Sequence, residues 1–290
     1  YDAATARHAL ARYRAEEAWL KHLPRTASEA DLDRAEALIR AIRSAMLSNP
    51  LLDEDRIVYV RRLLGTHARG ASPKDWGSIS LNSHTHVTIR KTGWKSQIVE
   101  LSDLRGTQKE RIIRTFDGPP IRDLQLSCDA RTVSYTGIDA TNRFAVYELQ
   151  LDAHAEPRCV SPTGYPDVDW FDGVAMPHGR YIMLSTASYQ GLPCEGGSRP
   201  MAQVYQVDTT HNKVRQLTFD QDSDYTPSFM QDGRVLYTRW EYCDLPHYYS
   251  RVLMTMNPDG SSQTLLWGSS SYSPTTLLQV RQIPESTKLV

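Results

Sequence analysis

The residues best suited to chemistry crowd into one stretch, Trp240-Glu241-Tyr242-Cys243-Asp244-Leu245-Pro246-His247-Tyr248-Tyr249. It sets two carboxylates, an imidazole and three phenols within ten residues. Glu241, Asp244 and His247 are donor types that a divalent metal accepts, and His247 alone can carry a proton near neutral pH. Trp240, Tyr242 and Tyr248 add aromatic faces for a small ligand, a partner segment or a sugar. A structural role competes with all of these. In that reading the rings pack between sheets, Asp244 caps a turn and His247 bonds the backbone, because buried polar groups must first be satisfied.

Two weaker constellations lie elsewhere. His84-Thr85-His86 puts both imidazoles on one face of a strand, since side chains alternate with period two. A transition metal could bridge them with a third ligand, and a plain polar strand face explains them equally. Tyr165-Pro166-Asp167-Val168-Asp169-Trp170-Phe171-Asp172 carries closely spaced carboxylates of the kind calcium takes. Asp167 and Asp169 are its candidate ligands, although the glycine and final glutamate of a helix-loop-helix calcium site are missing; otherwise these acids cap neighbouring turns. Glu195-Gly196-Gly197-Ser198 lacks the lysine of a phosphate loop, and no GxSxG nucleophile turn occurs.

The elements that must position these residues repeat. Asp129-Ala130-Arg131 to Tyr135, Pro177-His178-Gly179-Arg180 to Leu184 and Gln231-Asp232-Gly233-Arg234 to Thr238 are each a polar turn opening into an apolar strand. A second strand follows each: Phe144 to Leu149, Ala202 to Asp208, and Arg251 to Asn257. The turns recur at intervals of about 49 and 54 residues, a period that signals stacked four-stranded units. One such sheet cannot bury both its faces alone, and a radial stack of them is a β-propeller. The predicted units run from Ile121 to Cys159, Val168 to Phe219 and Tyr225 to Trp267. A less regular one precedes them, with strands expected at Ile57–Val60, Ser78–Leu81, His86–Ile89, Gln97–Leu101 and Arg111–Arg114. A fifth begins at Ser271 and stops at Val290, so the polypeptide is expected to continue. Asn257-Pro258-Asp259-Gly260 is a turn by its own chemistry, with Pro fixing φ and Gly accepting a positive one.

Residues 1–48 differ. Ala6, Leu10, Tyr13 and Glu17 are spaced as on a helix, and His22-Leu23-Pro24 breaks it. Ser28 offers an N-cap, and Leu32, Ala35, Ile39, Ile42 and Met46 recur at helical spacing until Asn49-Pro50. The expected architecture is therefore mainly β: a helical hairpin over 1–48, then a partial propeller of about four four-stranded blades over 49–290. The hairpin is expected against the propeller's side or end, or as a linker to an upstream domain.

Composition bounds the function. The chain has 290 residues, net charge −1, 40% hydrophobic and 23% charged residues. Near-zero charge argues against general affinity for nucleic acid or anionic lipid. No run of 18 apolar residues could span a membrane. Cys128, Cys159, Cys194 and Cys243 stand singly, without a CxxC; their even number permits two disulfides, and they otherwise read as small buried hydrophobes.

More specific likenesses exist. Val214 to Thr218 and Asp222 to Phe229 resemble the closing and opening strands of periplasmic propellers of the Tol-system type. The blocks Arg234 to Tyr242, Asp244 to His247 and Met256 to Gly260 resemble the middle domain of the hydrazine synthase alpha subunit family. So do Ser185-Thr186-Ala187, Gln190 to Cys194, Asn49 to Asp53, Gly268 to Tyr272 and Pro284 to Val290. The resemblance covers roughly residues 47–290 and implies a propeller-like module of a large secreted bacterial protein, hence a periplasmic or secreted setting. Hydrazine synthesis depends on haem, and this chain has no CxxCH. Haem or a divalent metal would then sit in flanking domains of the same polypeptide. The family usually has Cys where Ser188 stands and a Thr-like residue where Cys243 stands, which suggests a rewired pairing of Cys194 with Cys243. The readings that remain are a non-catalytic binding or scaffolding module for a protein segment or small ligand, part of a haem- or metal-dependent redox enzyme, and a carbohydrate-binding module.

Overall fold

The computed structural model describes residues 3–22, 26–48, 56–64, 90–152, 155–193, 196–242, 250–268, 273–274 and 276–290. Two compact units divide the chain, one of residues 1–59 and 98–114, the other of residues 60–97 and 115–290. A three-stranded sheet has the order β1-β2-β3; its strands are β1 Arg56–Leu64, β2 Trp94–Ser102 and β3 Lys109–Gly118. The expected strands at Ser78–Leu81 and His86–Ile89 lie outside the described residues.

In the first unit, helix α1 spans Ala3–Lys21 and helix α2 spans Glu29–Leu47. Ser28 caps α2 as its sequence position predicts: its Oγ accepts from the Asp31 N–H at 3.2 Å, and the Asp31 carboxylate accepts from the Ser28 N–H at 3.3 Å. Satisfying two orphan donors reciprocally fixes where the helix starts. At the other end, Arg105 donates from Nε to the Leu47 carbonyl at 3.0 Å. The expected apolar stripe of α2 is corrected. Leu38 and Ala45 are the buried residues, whereas Leu32, Ile39 and Met46 are exposed. Spacing fixed the existence of a stripe but not which edge of it finds a neighbour.

The second unit contains three four-stranded antiparallel sheets, each running in chain order. The first holds β4 Arg122–Leu126, β5 Thr132–Ile138, β6 Phe144–Gln150 and β7 Arg158–Cys159. Next come β8 Trp170–Met176, β9 Arg180–Ser185, β10 Gln203–Asp208 and β11 Lys213–Gln216. The last holds β12 Asp224–Phe229, β13 Val235–Trp240, β14 Arg251–Met256 and β15 Thr264–Trp267. These are propeller blades, and their limits match the predicted units closely. Two of the three polar turns close by side-chain chemistry: Asp129 accepts from the Arg131 N–H at 3.1 Å and Asp232 from the Arg234 N–H at 3.0 Å. Such Asx bonds stabilise tight reversals and tolerate the positive φ of Ala130 (55°) and Gly233 (87°).

Two apolar seams join the blades face to face. Val146 and Val160 meet Trp170, Tyr181, Met183 and Tyr205 in one. Phe171, Ile182, Leu184 and Val204 meet Val235, Tyr237, Met254 and Met256 in the other. The opening strands β4, β8 and β12 share a second device. Each carries a bulge, and the bulged residues Asp123, Asp172 and Thr226 have φ of 51°, 50° and 48°. Pro227 sits in the third bulge, where a missing N–H breaks no ladder bond.

The fifth unit needs correction. Among the described residues no named strand follows Trp267. Instead Val280 packs on Leu236 and Leu253, and the Leu277 and Val280 carbonyls accept from Thr238 Oγ1 at 2.7 Å and Ser228 Oγ at 3.1 Å. Gln279 nevertheless has φ 58°, the same backbone region as Asp123, Asp172 and Thr226. A further correction concerns Cys128 and Cys159, which are free and exposed rather than buried. Cys194 and Cys243, and with them the suggested pairing, lie outside the described residues. The Asn257 turn forms as expected, with the Gly260 N–H donating to the Asn257 carbonyl at 2.9 Å.

The tightest point of a seam is Gly173, where a Cβ would stand 2.5 Å from Val146 Cγ1. Gly173→Ala should destabilise the chain by about 1–3 kcal/mol, the usual cost of overpacking. Combining it with Val146→Ala should recover part of that loss, so the two urea midpoints will not add. Additive effects would show that the two blades do not meet there.

Candidate functional site

The stretch singled out by the sequence begins where β13 leaves the last blade. Trp240 is 1% exposed and packs with Leu192, Met201 and Tyr225. Tyr242 meets its ring edge to face at 5.5 Å, and the Arg251 guanidinium lies 5.0 Å from its centroid. Trp240 is thus core rather than an open stacking platform. Glu241 is half-buried and ties the chain down by donating its N–H to the Ser250 carbonyl at 3.0 Å. Tyr242 donates its N–H to Asp222 Oδ2 at 3.2 Å. Asp244, His247 and Tyr248 lie outside the described residues, as do His84 and His86.

Around Glu241 and Tyr242 the fold gathers acids that the sequence reading did not select. The chain crosses from β11 to β12 through Asp220, Asp222 and Asp224, and Gln203 of β10 holds that crossing. Its Nε2 donates to the carbonyls of Asp220 and Asp222, both at 3.0 Å, while its Oε1 accepts from Thr218 Oγ1 at 2.9 Å. The crossing is thereby pulled inward, carboxylates included. Among the described residues Arg239 is the basic group paired with them, 2.6 Å from Asp220 Oδ2 and 3.7 Å from Asp224 Oδ1. Among the described residues Asp222 Oδ1 and both oxygens of Asp224 accept no hydrogen bond.

Electrostatics follow from that burial. Desolvation, helped by the Asp220 charge and opposed by Arg239, pushes Asp224 up to about 8. Burial also lifts Asp222 to about 6, against the bond from the Tyr242 N–H. Glu241 and Asp220 are raised for the same first reason, with Arg239 opposing. Near neutral pH, protons are therefore held within this cluster. Three acids within five residues, Asp220, Asp222 and Asp224, leading into an apolar strand were the signal available in the sequence.

The calcium candidates separate. Asp167 is exposed and pairs with Arg143 at 3.2 Å. Asp169 is buried and structural: its carboxylate accepts from the Phe144 N–H at 2.9 Å and faces Arg143 at 3.6 Å and Lys91 at 3.7 Å. Asp172 points elsewhere, towards Gln125 at 3.4 Å. Among the described residues no three His, Cys, Asp or Glu side chains come together as a metal requires. None of the described helices is long and apolar enough to cross a membrane.

No family model matches the chain, and no curated protein does. Similarity to solved structures carries the fold. Hydrazine synthase from Kuenenia stuttgartiensis superposes with a TM-score of 0.55 at 12% identity, over 76% of this chain and 33% of that one. TolB from Agrobacterium tumefaciens gives 0.45 at 17% identity, over 60% of this chain and 57% of that one. TolB from Acinetobacter baumannii gives 0.41 at 13% identity, over 81% and 58%. The chain therefore spans less than two thirds of each of these proteins. It is a propeller module in fold, with a primary structure far from all three.

The raised acids make a stability prediction with a definite sign. A carboxyl whose folded value exceeds its unfolded value of about 4 binds a proton in the native state that the unfolded chain releases. Stability should then be greatest at the acid end of the window and fall as pH rises from about 5 to about 8, by on the order of 1 kcal/mol per unit for a strongly shifted group. Asp224→Asn should flatten the part of that slope due to this residue and make the chain more stable at pH 8. Urea unfolding at pH 5.5 and 8 tests it; a parent curve that rises with pH would refute the assignment.

Proposed function

We propose that the chain is a non-catalytic binding module of a larger extracytoplasmic bacterial protein, and that it receives a donor-rich, basic partner segment where β13 leaves the last blade. One observation carries this reading: four carboxylates, Asp220, Asp222, Asp224 and Glu241, gather about the single guanidinium of Arg239. Buried acceptors without donors are costly, so a ligand bringing Lys, Arg or amide N–H groups would be held there by charge-assisted bonds. The blades supply a rigid frame and the blade-end loops supply recognition, the usual division of labour on such scaffolds. Trp240 and Tyr242 are committed to packing, which supports a polar partner over a sugar stacked on Trp240. The extracytoplasmic setting rests on the sequence resemblance alone.

A positional peptide library on the purified chain tests the reading. Lys and Arg should be enriched at one or two positions, and Asp222→Asn with Glu241→Gln should remove the preference while the melting temperature holds. No basic preference, or one that the double variant keeps, would defeat it. An absorption spectrum showing a Soret band, or metal bound in stoichiometric amount, would replace it with the redox-enzyme reading.

A further inference from the structure

A second polar cluster lies apart from the one above, and its charge has the opposite sign. It forms where the opening strands converge, because β8 neighbours both β4 and β12. The bulges turn Asp123 and Asp172 out of their ladders, and Arg122 immediately precedes the first of them. Arg62 of β1 lies within Coulomb range of Arg122 and Asp123, and Arg281 of the C-terminal segment within range of Asp172 and Asp123. Three guanidiniums thus face two carboxylates.

Pairing of Arg122 is incomplete. The Arg122 side chain is only 4% exposed, yet its Nε and Nη1 have no hydrogen-bond partner among the described residues. The Asp123 carboxylate comes no nearer to Nε than 3.9 Å. Asp172 turns one oxygen to Gln125 Nε2 at 3.4 Å instead of to a guanidinium. A buried guanidinium lacking acceptors is costly to retain. Arg62 and Arg281 are less buried than Arg122.

We propose that Arg62, Arg122 and Arg281, framed by Asp123 and Asp172, form a binding site for a small oxyanion, a carboxylate or a phosphate. Guanidinium N–H groups match the oxygens of both classes, and a water-poor setting strengthens each contact. The surrounding titration agrees with this polarity. Burial first, and then the Asp123 charge, push Asp172 up to about 8 against the pull of Arg281, Gln125 and Arg122. Asp172 therefore keeps its proton near neutral pH and leaves the positive charge in excess. Arg62 and Arg281 are both lowered from their ordinary values by burial, Arg62 further by its neighbour Arg122. An anion would relieve that repulsion.

The experiment uses the whole chain at pH 6.5, with succinate and inorganic phosphate as separate probes and sodium chloride at matched ionic strength as reference. Calorimetry should show saturable one-site binding of at least one probe, and which one binds names the oxyanion class. Arg122→Gln and Arg281→Gln should each weaken it by roughly tenfold or more, the loss expected for a charged hydrogen bond. Arg131→Gln, at an exposed turn, should leave it unchanged. Affinity should also fall as pH rises past 8 and Asp172 ionises. Should Arg122→Gln fail to fold, Arg281→Gln decides. The proposal is overturned if neither probe binds beyond the chloride reference, or if the Arg281 variant binds as the parent does.

Discussion

A four-stranded antiparallel sheet with apolar residues on both faces cannot remain single in water, and that constraint governs the second unit. Val146 and Tyr181, or Val204 and Met254, gain little within their own blade; they are covered by the next one. Interiors packed this closely leave no slack, which is why Gly173 has room for a hydrogen and nothing larger opposite Val146. Backbone ladders run within each blade, so contact between blades rests chiefly on covered apolar area, with side-chain bonds such as Ser134 Oγ to the Gly173 carbonyl at 2.6 Å added across it.

Face-to-face packing has a second consequence. Once the sheets stack, their opening strands are brought together, and a backbone that stayed regular would fill the space between them with ladder edges. The repeated bulge at Asp123, Asp172 and Thr226 takes one residue from each strand out of register and turns it aside. Polar side chains then collect where the strands meet, and Gln279 shares the positive φ of the bulged residues. At the blade ends the logic is similar. Gln203 ties the crossing loop down at the backbone of Asp220 and Asp222, and the raised proton affinity of the carboxylates there follows from position rather than from residue type.

The two polar clusters are therefore products of one scaffold with opposite balances. Around Arg239, acids outnumber the guanidinium; beside Arg122, guanidiniums outnumber the acids. Neither imbalance is visible in a net charge of −1. Long-range contacts separate like from unlike, and only those contacts decide which charge is left without a partner.

Blade limits, the capped start of α2 and the Asx turns were legible in the residues because each depends on neighbours a few positions away. Ser28 with Asp31, or Asp232 with Arg234, needs nothing from the rest of the chain. What could not be read locally was decided by the stacked sheets: that Trp240 is core, that Cys128 and Cys159 face solvent, that Leu38 rather than Ile39 is the covered residue of α2, and that Asp169 is spent on the Phe144 amide. Periodicity tells which residues share a face. Whether that face meets another sheet, a guanidinium or water depends on segments 40 or more positions distant, as with Ser228 and the Val280 carbonyl, 52 residues apart. Local sequence fixed the repeating unit for that reason, and tertiary contact fixed the chemistry of its edges.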